Sequence, residues 1–245
     1  MKYKYCSIGI DGCRDGWVLV ALTEHKFEIR VLSKIHDAKT ILENSKTTLI
    51  DIPIGLPETS SENSRRPEAT GRKILGKRAS CIFNTPCRQA VYANNYTEAN
   101  KLNKGILQKG LSKQSYYLTN KIKEVDNFLA SDPSFKNKLI ESHPEICFTM
   151  LNKEKKPIIE NKNTDIGMKK RVDILIDHYP KTVKLTHYIN DHPELRQTKV
   201  DIIDAFVLAV TGCLGNSRGL SSIPASPIKD SRGLFMQMVY CDYTK

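Results

Sequence analysis

The sequence lacks the marks of several large functional classes. Its seven cysteines, Cys6, Cys13, Cys81, Cys87, Cys147, Cys213 and Cys241, are odd in number and no two stand at CxxC spacing. That argues against a zinc site or a disulfide framework. Cys6, Cys147 and Cys213 lie in apolar runs and read as small core residues, and a reducing cytoplasm is the expected compartment. The longest mainly apolar stretch, Ile202 to Val210, is too short to span a bilayer, and no apolar signal core follows the first lysines. The expectation is therefore a cytoplasmic protein with no membrane partner. Aromatics make up 7% and are not densely interleaved with basic residues, so stacking on single strands is not expected. No repeat or low-complexity tract is evident. Acidic residues are also in deficit: 27 Asp+Glu face 38 Lys+Arg, a formal charge of +11. That balance favours a polyanionic partner, DNA or RNA, because cations that neutralise phosphates release condensed counterions.

What is present is the pattern of an α/β domain. Tyr5 to Asp11 reads as a first strand, Gly12 to Gly16 as a turn, and Trp17 to Leu22 as a second strand, together a hairpin. Phe27 to Leu32 alternates like a third, edge-like strand, Ile35 to Asn44 has helical spacing, and Thr47 to Ile54 is a buried strand that Pro53 interrupts. The order β-β-β-α-β makes strands one and four natural parallel neighbours through a right-handed crossover. Asp11 and Asp51 then end side by side, near the C-terminal ends of strands, where ligands collect in open α/β sheets. Residues from about 57 to 135 form a large, mostly helical, basic insertion, placed over the sheet edge rather than in a separate domain. Lys113 to Leu129 is one of its helical stretches. Leu139 to Leu151 is the next strand candidate, Gly167 to Tyr179 and Asp201 to Leu214 are helices, and Leu234 to Tyr240 can add a final strand. The whole chain, 1–245, reads as one domain.

The acids carry the chemistry. Asp11 follows an apolar strand; a turn aspartate capping the hairpin and a metal ligand are both open for it. Asp51 stands in the apolar run Leu49 to Ile54, where an ionised group needs a partner; a loop cap is its plainer role. Asp201 and Asp204 share one face of the apolar helix, and acids also favour helix N-termini for capping alone. Glu141 and Glu145 flank His143, and either is a possible fourth ligand or a salt-bridge partner for the insertion; His143 reads first as a structural hydrogen bonder. Two carboxylates ~4 Å apart repel by roughly 4 kcal/mol at an effective dielectric near 20. A converging set therefore calls for hard divalent cations, Mg²⁺ or Mn²⁺.

Gly9 to Trp17 and Ile50 to Pro57, followed in order by Leu75 to Pro86, His143 to Phe148 and Asp204-Ala205, resemble an uncharacterised family, domain of unknown function family 429. Its members are predicted to be nucleases with a ribonuclease H-like fold. The resemblance covers nearly the whole chain. It implies a three-layer α/β fold with a mixed five-stranded sheet, the first three strands antiparallel, and a phosphodiesterase site. Asp201-x-x-Asp204-Ala205 also resembles the last helix of Holliday-junction resolvases in that superfamily. Carried over, the metal ligands are Asp11, Asp51 and Asp204, with or without Asp201, and Glu145 can complete the catalytic set. The fourth-strand acid of those resolvases is usually glutamate, and Asp51 is one methylene shorter.

Arg65, Arg66, Arg72, Lys73, Lys77, Arg78 and Arg88 crowd the insertion. Arg66, Arg72, Lys77, Arg78 and Arg88 are the expected phosphate contacts, because guanidinium groups grip phosphate in pairs of bonds. A solvated cationic face is the plainer alternative. Gln114 is an auxiliary candidate. Two other functions compete with a metal-dependent nuclease. A non-catalytic nucleic-acid-binding protein would bind through the same cations. An ATP-using enzyme of the same superfold would need a glycine-rich motif in its second half, for which Gly212 to Gly215 is a poor candidate.

Overall fold

The computed structural model describes residues 3–63 and 67–242. Arg66, one of the expected phosphate contacts, and its neighbour Arg65 lie outside the described residues.

β1 (Tyr5–Cys13), β2 (Gly16–Leu22) and β3 (Phe27–Leu32) form an antiparallel meander. A short α1 (Lys39–Glu43) returns the chain to β4 (Ser45–Ile50), which pairs parallel to β1. Six helices then follow: α2 (Ser60–Asn63), α3 (Glu68–Leu75), α4 (Arg88–Val91), α5 (Tyr96–Leu107), α6 (Lys113–Tyr117) and α7 (Thr119–Ser131). β5 (Leu139–Glu141) adds parallel to β4 and completes a mixed five-stranded sheet in the order β3-β2-β1-β4-β5. Next come α8 (Pro144–Leu151), α9 (Asp165–His178), α10 (Leu185–Asp191) and the long α11 (Lys199–Arg218). β6 (Ser221–Ile223) and β7 (Met238–Tyr240) make a small antiparallel pair. The expected final strand thus exists, joined towards β5 through a bridge between Ser142 and Val239.

The sheet is covered on both faces, which gives three layers. Ile8, Ile10, Trp17 and Leu19 pack against Ile122, Val125, Phe128 and Leu129 of α7. The last helix of the insertion, expected over the sheet edge, thus lies on a face of the sheet, in a layer it shares with Ile35, Ala38, Ile41 and Leu42 of the crossover. The insertion's last helical stretch is also two helices, α6 and α7, meeting at Leu118. On the other face Val18, Val20, Leu22 and Leu49 meet Ile202, Phe206, Leu208 and Val210 of α11. Each such buried side chain contributes about 1.5–3 kcal/mol.

Two glycines set how closely α11 approaches. A Cβ on Gly9 of β1 would lie 1.9 Å from the Ala205 carbonyl oxygen, and one on Gly212 would lie 2.1 Å from Ser7 Oγ. Bare backbone at both points lets α11 lie flush on β1. The helical stretch 193–218 is long and apolar enough to cross a membrane by composition, which the shorter run Ile202 to Val210 did not reveal. Most of it is buried inside the protein, so the sheet accounts for its hydropathy.

Three further readings change. β1 continues through Asp11 and Gly12 to Cys13, in register with Val18, Trp17 and Gly16. Asp11 lies in the strand, as expected, and it is the turn expected over Gly12 to Gly16 that shrinks, to Arg14 and Asp15. The strand expected over Leu139–Leu151 ends at Glu141 and becomes α8. Pro144 explains this: its fixed φ suits the first helical position, and it forces the preceding His143 into the extended region, where φ is −140° and ψ is 123°. Finally, Cys6 and Cys213 are joined as a disulfide, with Cα atoms 5.5 Å apart across 207 positions of sequence. This single link ties β1 to α11. Spacing arguments look for neighbours in sequence and could not see a pair brought together by the flush helix.

Candidate metal centre and adjoining cleft

The parallel ladder between β1 and β4 ends at the pair Ile10 and Ile50, and the Asp51 amide donates to the Ile10 carbonyl at 3.0 Å. Asp11 and Asp51 follow immediately and stand side by side. Alternation along the strands puts Asp11 on the same face as Gly9, and Asp51 on the same face as Leu49. That is the face α11 covers. One turn into α11, Asp204 presents a carboxylate to both, and Asp201 lies three residues earlier on the same side of the helix. The flush packing allowed by Gly9 is what brings the helix acids to the strand acids.

Burial then works against their ionisation. Asp11 is 8% exposed and Asp204 2%. Desolvation raises the pKa of Asp11 well above the ordinary carboxylate range, and Asp51, Asp204 and Asp201 push it further, against the pull of Lys162. Asp51 is raised by burial, opposed by His143 and Lys162. Asp204 is raised by burial, against its pairing with Lys162. Burial, then the charge of Asp204, carries Asp201 to about 6. These shifts come from desolvation of the charged form and from repulsion between like charges.

Lys162 is the residue the sequence reading missed. Its Nζ donates to Asp204 Oδ2 at 2.5 Å. Burial lowers its basicity, but Asp204, Asp11 and Asp51 overcome that and hold it above the usual lysine value. It sits in the polar loop before α9, and nothing in Asn161-Lys162-Asn163 sets it apart from the other lysines. Asp204 Oδ1 is buried with no hydrogen-bond partner, as is Glu145 Oε2.

The donor set fits a hard divalent cation: its groups are carboxylate oxygens, and a buried orphan oxygen points to a missing partner. As they stand, no three His, Cys, Asp or Glu side chains among the described residues converge enough to hold one ion. Lys162 takes the place of a positive charge at Asp204. It is 38% exposed, so it has room to withdraw.

A cleft of about 190 Å³ opens beside these acids. Asp11, Asp51, Glu141 and His143 line one end, and Ile82, Phe83 and Pro86 line a wall. Glu141 Oε2 accepts from the Ile54 amide at 2.7 Å, which fixes the loop after β4. His143 Nε2 faces the Cys81 carbonyl oxygen at 3.4 Å, while Nδ1 is buried without a partner. Lys121, also at the cleft, is held over the Trp17 ring and donates to the Gly16 carbonyl.

The other expected residues divide. Glu145 begins α8 and gives Oε1 to Arg171 Nη2 at 2.6 Å, with Arg78 Nη2 at 3.4 Å. Of its two expected roles, the structure displays the salt bridge, with α9 as well as with the insertion. Arg78 is thereby half-buried and engaged rather than projecting outward. Arg72 holds the cleft wall: Nε and Nη2 donate to the Ile82 carbonyl at 3.1 and 3.0 Å, and Nη2 to Asn84 Oδ1 at 2.7 Å. Lys77 and Gln114 are exposed. Arg88 must be corrected. It is 7% exposed and fully committed, to Glu58 at 3.0 Å, Asp126 at 2.6 Å and Asp230. A guanidinium in that position cannot reach a phosphate backbone. Asp126 and Asp230, distant in sequence, gave no sign of drawing it inward.

The family model described as "Protein of unknown function (DUF429)" matches residues 9–228, so the chain belongs to that family. No curated protein and no solved structure matches it.

Proposed function

We propose that this DUF429 member is a divalent-metal-dependent nuclease of ribonuclease H-like architecture, hydrolysing phosphodiester bonds of DNA or RNA. The observation that carries the reading is an excess of sequestered negative charge: Asp11 and Asp51 at the strand ends meet Asp204 and Asp201 of α11, against Lys162 and, beside Asp201, Lys121. A fold does not retain unbalanced buried carboxylates without a use for them.

Asp11, Asp51 and Asp204 would hold Mg²⁺ or Mn²⁺, with Asp201 completing the set. Bound there, such ions supply an activated water and stabilise the leaving oxygen of an in-line displacement. The chain's own groups do the rest. Asp11 is positioned by the β1–β2 ladder and by its own contact with the Gly12 amide at 2.7 Å. With its proton on Nε2 towards Cys81, His143 leaves Nδ1 as the atom able to accept one. Lys162, drawn off Asp204, remains a mobile cation beside the reacting phosphate. No covalent enzyme intermediate is needed. The exposed Lys77 and the +11 net charge support a polyanionic substrate.

The non-catalytic binder is favoured by one observation, the Lys162–Asp204 pair that neutralises part of the site without metal. The test is cleavage of labelled single-stranded, duplex and branched DNA and RNA with Mg²⁺ or Mn²⁺, for wild type, Asp11→Asn and Asp51→Asn. Metal-dependent cleavage lost in both variants supports the nuclease. Binding without cleavage, unchanged in both, leaves the binder.

A further inference from the structure

The wall of the cleft is made by a loop that has little to do with holding carboxylates. Ile82, Phe83, Asn84 and Pro86 line the same cleft as Asp11 and Asp51. Phe83 is 39% exposed, one of seven large apolar side chains exposed among the described residues. The loop is also stiffened. Arg72 takes two bonds on the Ile82 carbonyl and a third on Asn84 Oδ1, and Thr85 is buried and donates to Glu68. With Asn84 Oδ1 engaged by Arg72, the donor capacity of the side-chain amide is what a ligand could use. The cavity thus offers charge-binding oxygens at one end, a flat apolar surface beside them, and a fixed side-chain amide. An amphipathic occupant matches that division: a planar ring on the wall, and a phosphate that would meet the acids through the cations they hold.

We infer that this cleft takes one unstacked nucleobase, stacked on Phe83 and met at its edge by Asn84, with its phosphate directed to the cations the carboxylates hold. This rests on the nuclease reading for the phosphate end only. It narrows the substrate to single-stranded or locally opened nucleic acid, because bases in a continuous duplex stay paired and stacked and cannot enter a cleft of about 190 Å³. The low aromatic content pointed away from stacking; one well-placed ring is enough, since every base has a face to offer.

The test is binding, by fluorescence anisotropy, of short single-stranded DNA and RNA, of the same strands carrying one abasic position moved along them, and of duplex, to wild type, Phe83→Ala and Phe83→Trp. Removal of one base is expected to weaken wild-type binding roughly tenfold at a single register. Phe83→Ala should bind the intact strand as weakly as wild type binds the abasic one, and Phe83→Trp should retain the discrimination. Comparing DNA with RNA shows which sugar the site accepts. Equal binding of intact and abasic strands by wild type at every register overturns the inference, as does full base discrimination by Phe83→Ala. Cleavage measured alongside separates the two readings. Base discrimination without cleavage keeps the pocket and removes the nuclease; cleavage indifferent to abasic sites and to Phe83→Ala keeps the nuclease and removes the pocket.

Discussion

The molecule buries two clusters of charge, and they are built on opposite terms. Around Arg88, three carboxylates meet two guanidinium groups. Glu58, Asp126 and Asp230 surround Arg88, and Arg232 reaches Asp126 at 2.8 Å. Spare oxygens there are satisfied: Asp230 also accepts from the Leu56, Arg232 and Leu234 amides, and Asp126 from Tyr92. Around Asp11, four carboxylates meet Lys162, with Lys121 acting on Asp201 alone, and an Asp204 oxygen has no partner. The first cluster ties the helical insertion to the C-terminal loop and is complete as it stands. The second is incomplete. Under the proposed function, that contrast separates a buried charge kept for the fold from one kept for a ligand.

The largest expected effect breaks the second cluster at its function. Asp11→Asn should lower metal-dependent cleavage on the order of 10³-fold, the scale of several kcal/mol of lost charge stabilisation. Without metal, the same variant should be no less stable than wild type, and about 1 kcal/mol more stable if repulsion dominates. Arg88→Ala should act oppositely. It strands buried acids and should cost about 3–5 kcal/mol in urea unfolding, with any surviving activity unchanged per folded molecule. Equal stability losses in the two variants would erase the distinction between the clusters.

Lys162→Met sharpens the comparison at the cation paired with Asp204. The metal-free protein should lose about 1–2 kcal/mol as Asp204 is left unpaired, and Mg²⁺ should then raise the melting temperature more than it does in wild type. A smaller metal-induced rise in the variant would mean that Lys162 helps hold the ion rather than giving way to it.

The smallest effect is in pH. Asp201 has a folded pKa of about 6 against an ordinary 3.8, so between those values the folded state binds more protons than the unfolded one. The stability contributed by Asp201 must therefore fall as pH rises through about 4 to 6. Asp11, Asp51 and Asp204 are shifted in the same direction. Unfolding midpoints followed over that window without metal should decline, and the decline should shrink with saturating Mg²⁺ or in Asp201→Asn. A flat profile without metal contradicts the repulsion.

How much of this was legible in the chain follows from what each signal measures. Periodicity and turn residues located β1 to β4, the crossover and the helix holding Asp201 and Asp204, because those depend on local burial patterns. Ending parallel strands at Asp11 and Asp51 then placed the two acids together. The α8 helix was hidden because a short apolar run fits either a strand or a buried helix, and Pro144 was read as a strand breaker rather than a helix starter. Partner choice was not legible. Nothing local distinguishes Arg88, which turns inward to Asp126 and Asp230, from Lys77, which stays exposed. The same holds for Lys162 and for the Cys6–Cys213 link, both set by how α11 docks.

The central claim is that the incomplete cluster is completed by a divalent ion. Calorimetric titration of Mn²⁺ into wild type, Asp11→Asn and Asp204→Asn at pH 7.5 tests it without any assumption about substrate. The account predicts saturable binding by wild type at one or two sites, lost or greatly weakened in both variants. No binding by wild type, or equal binding by all three proteins, would contradict it.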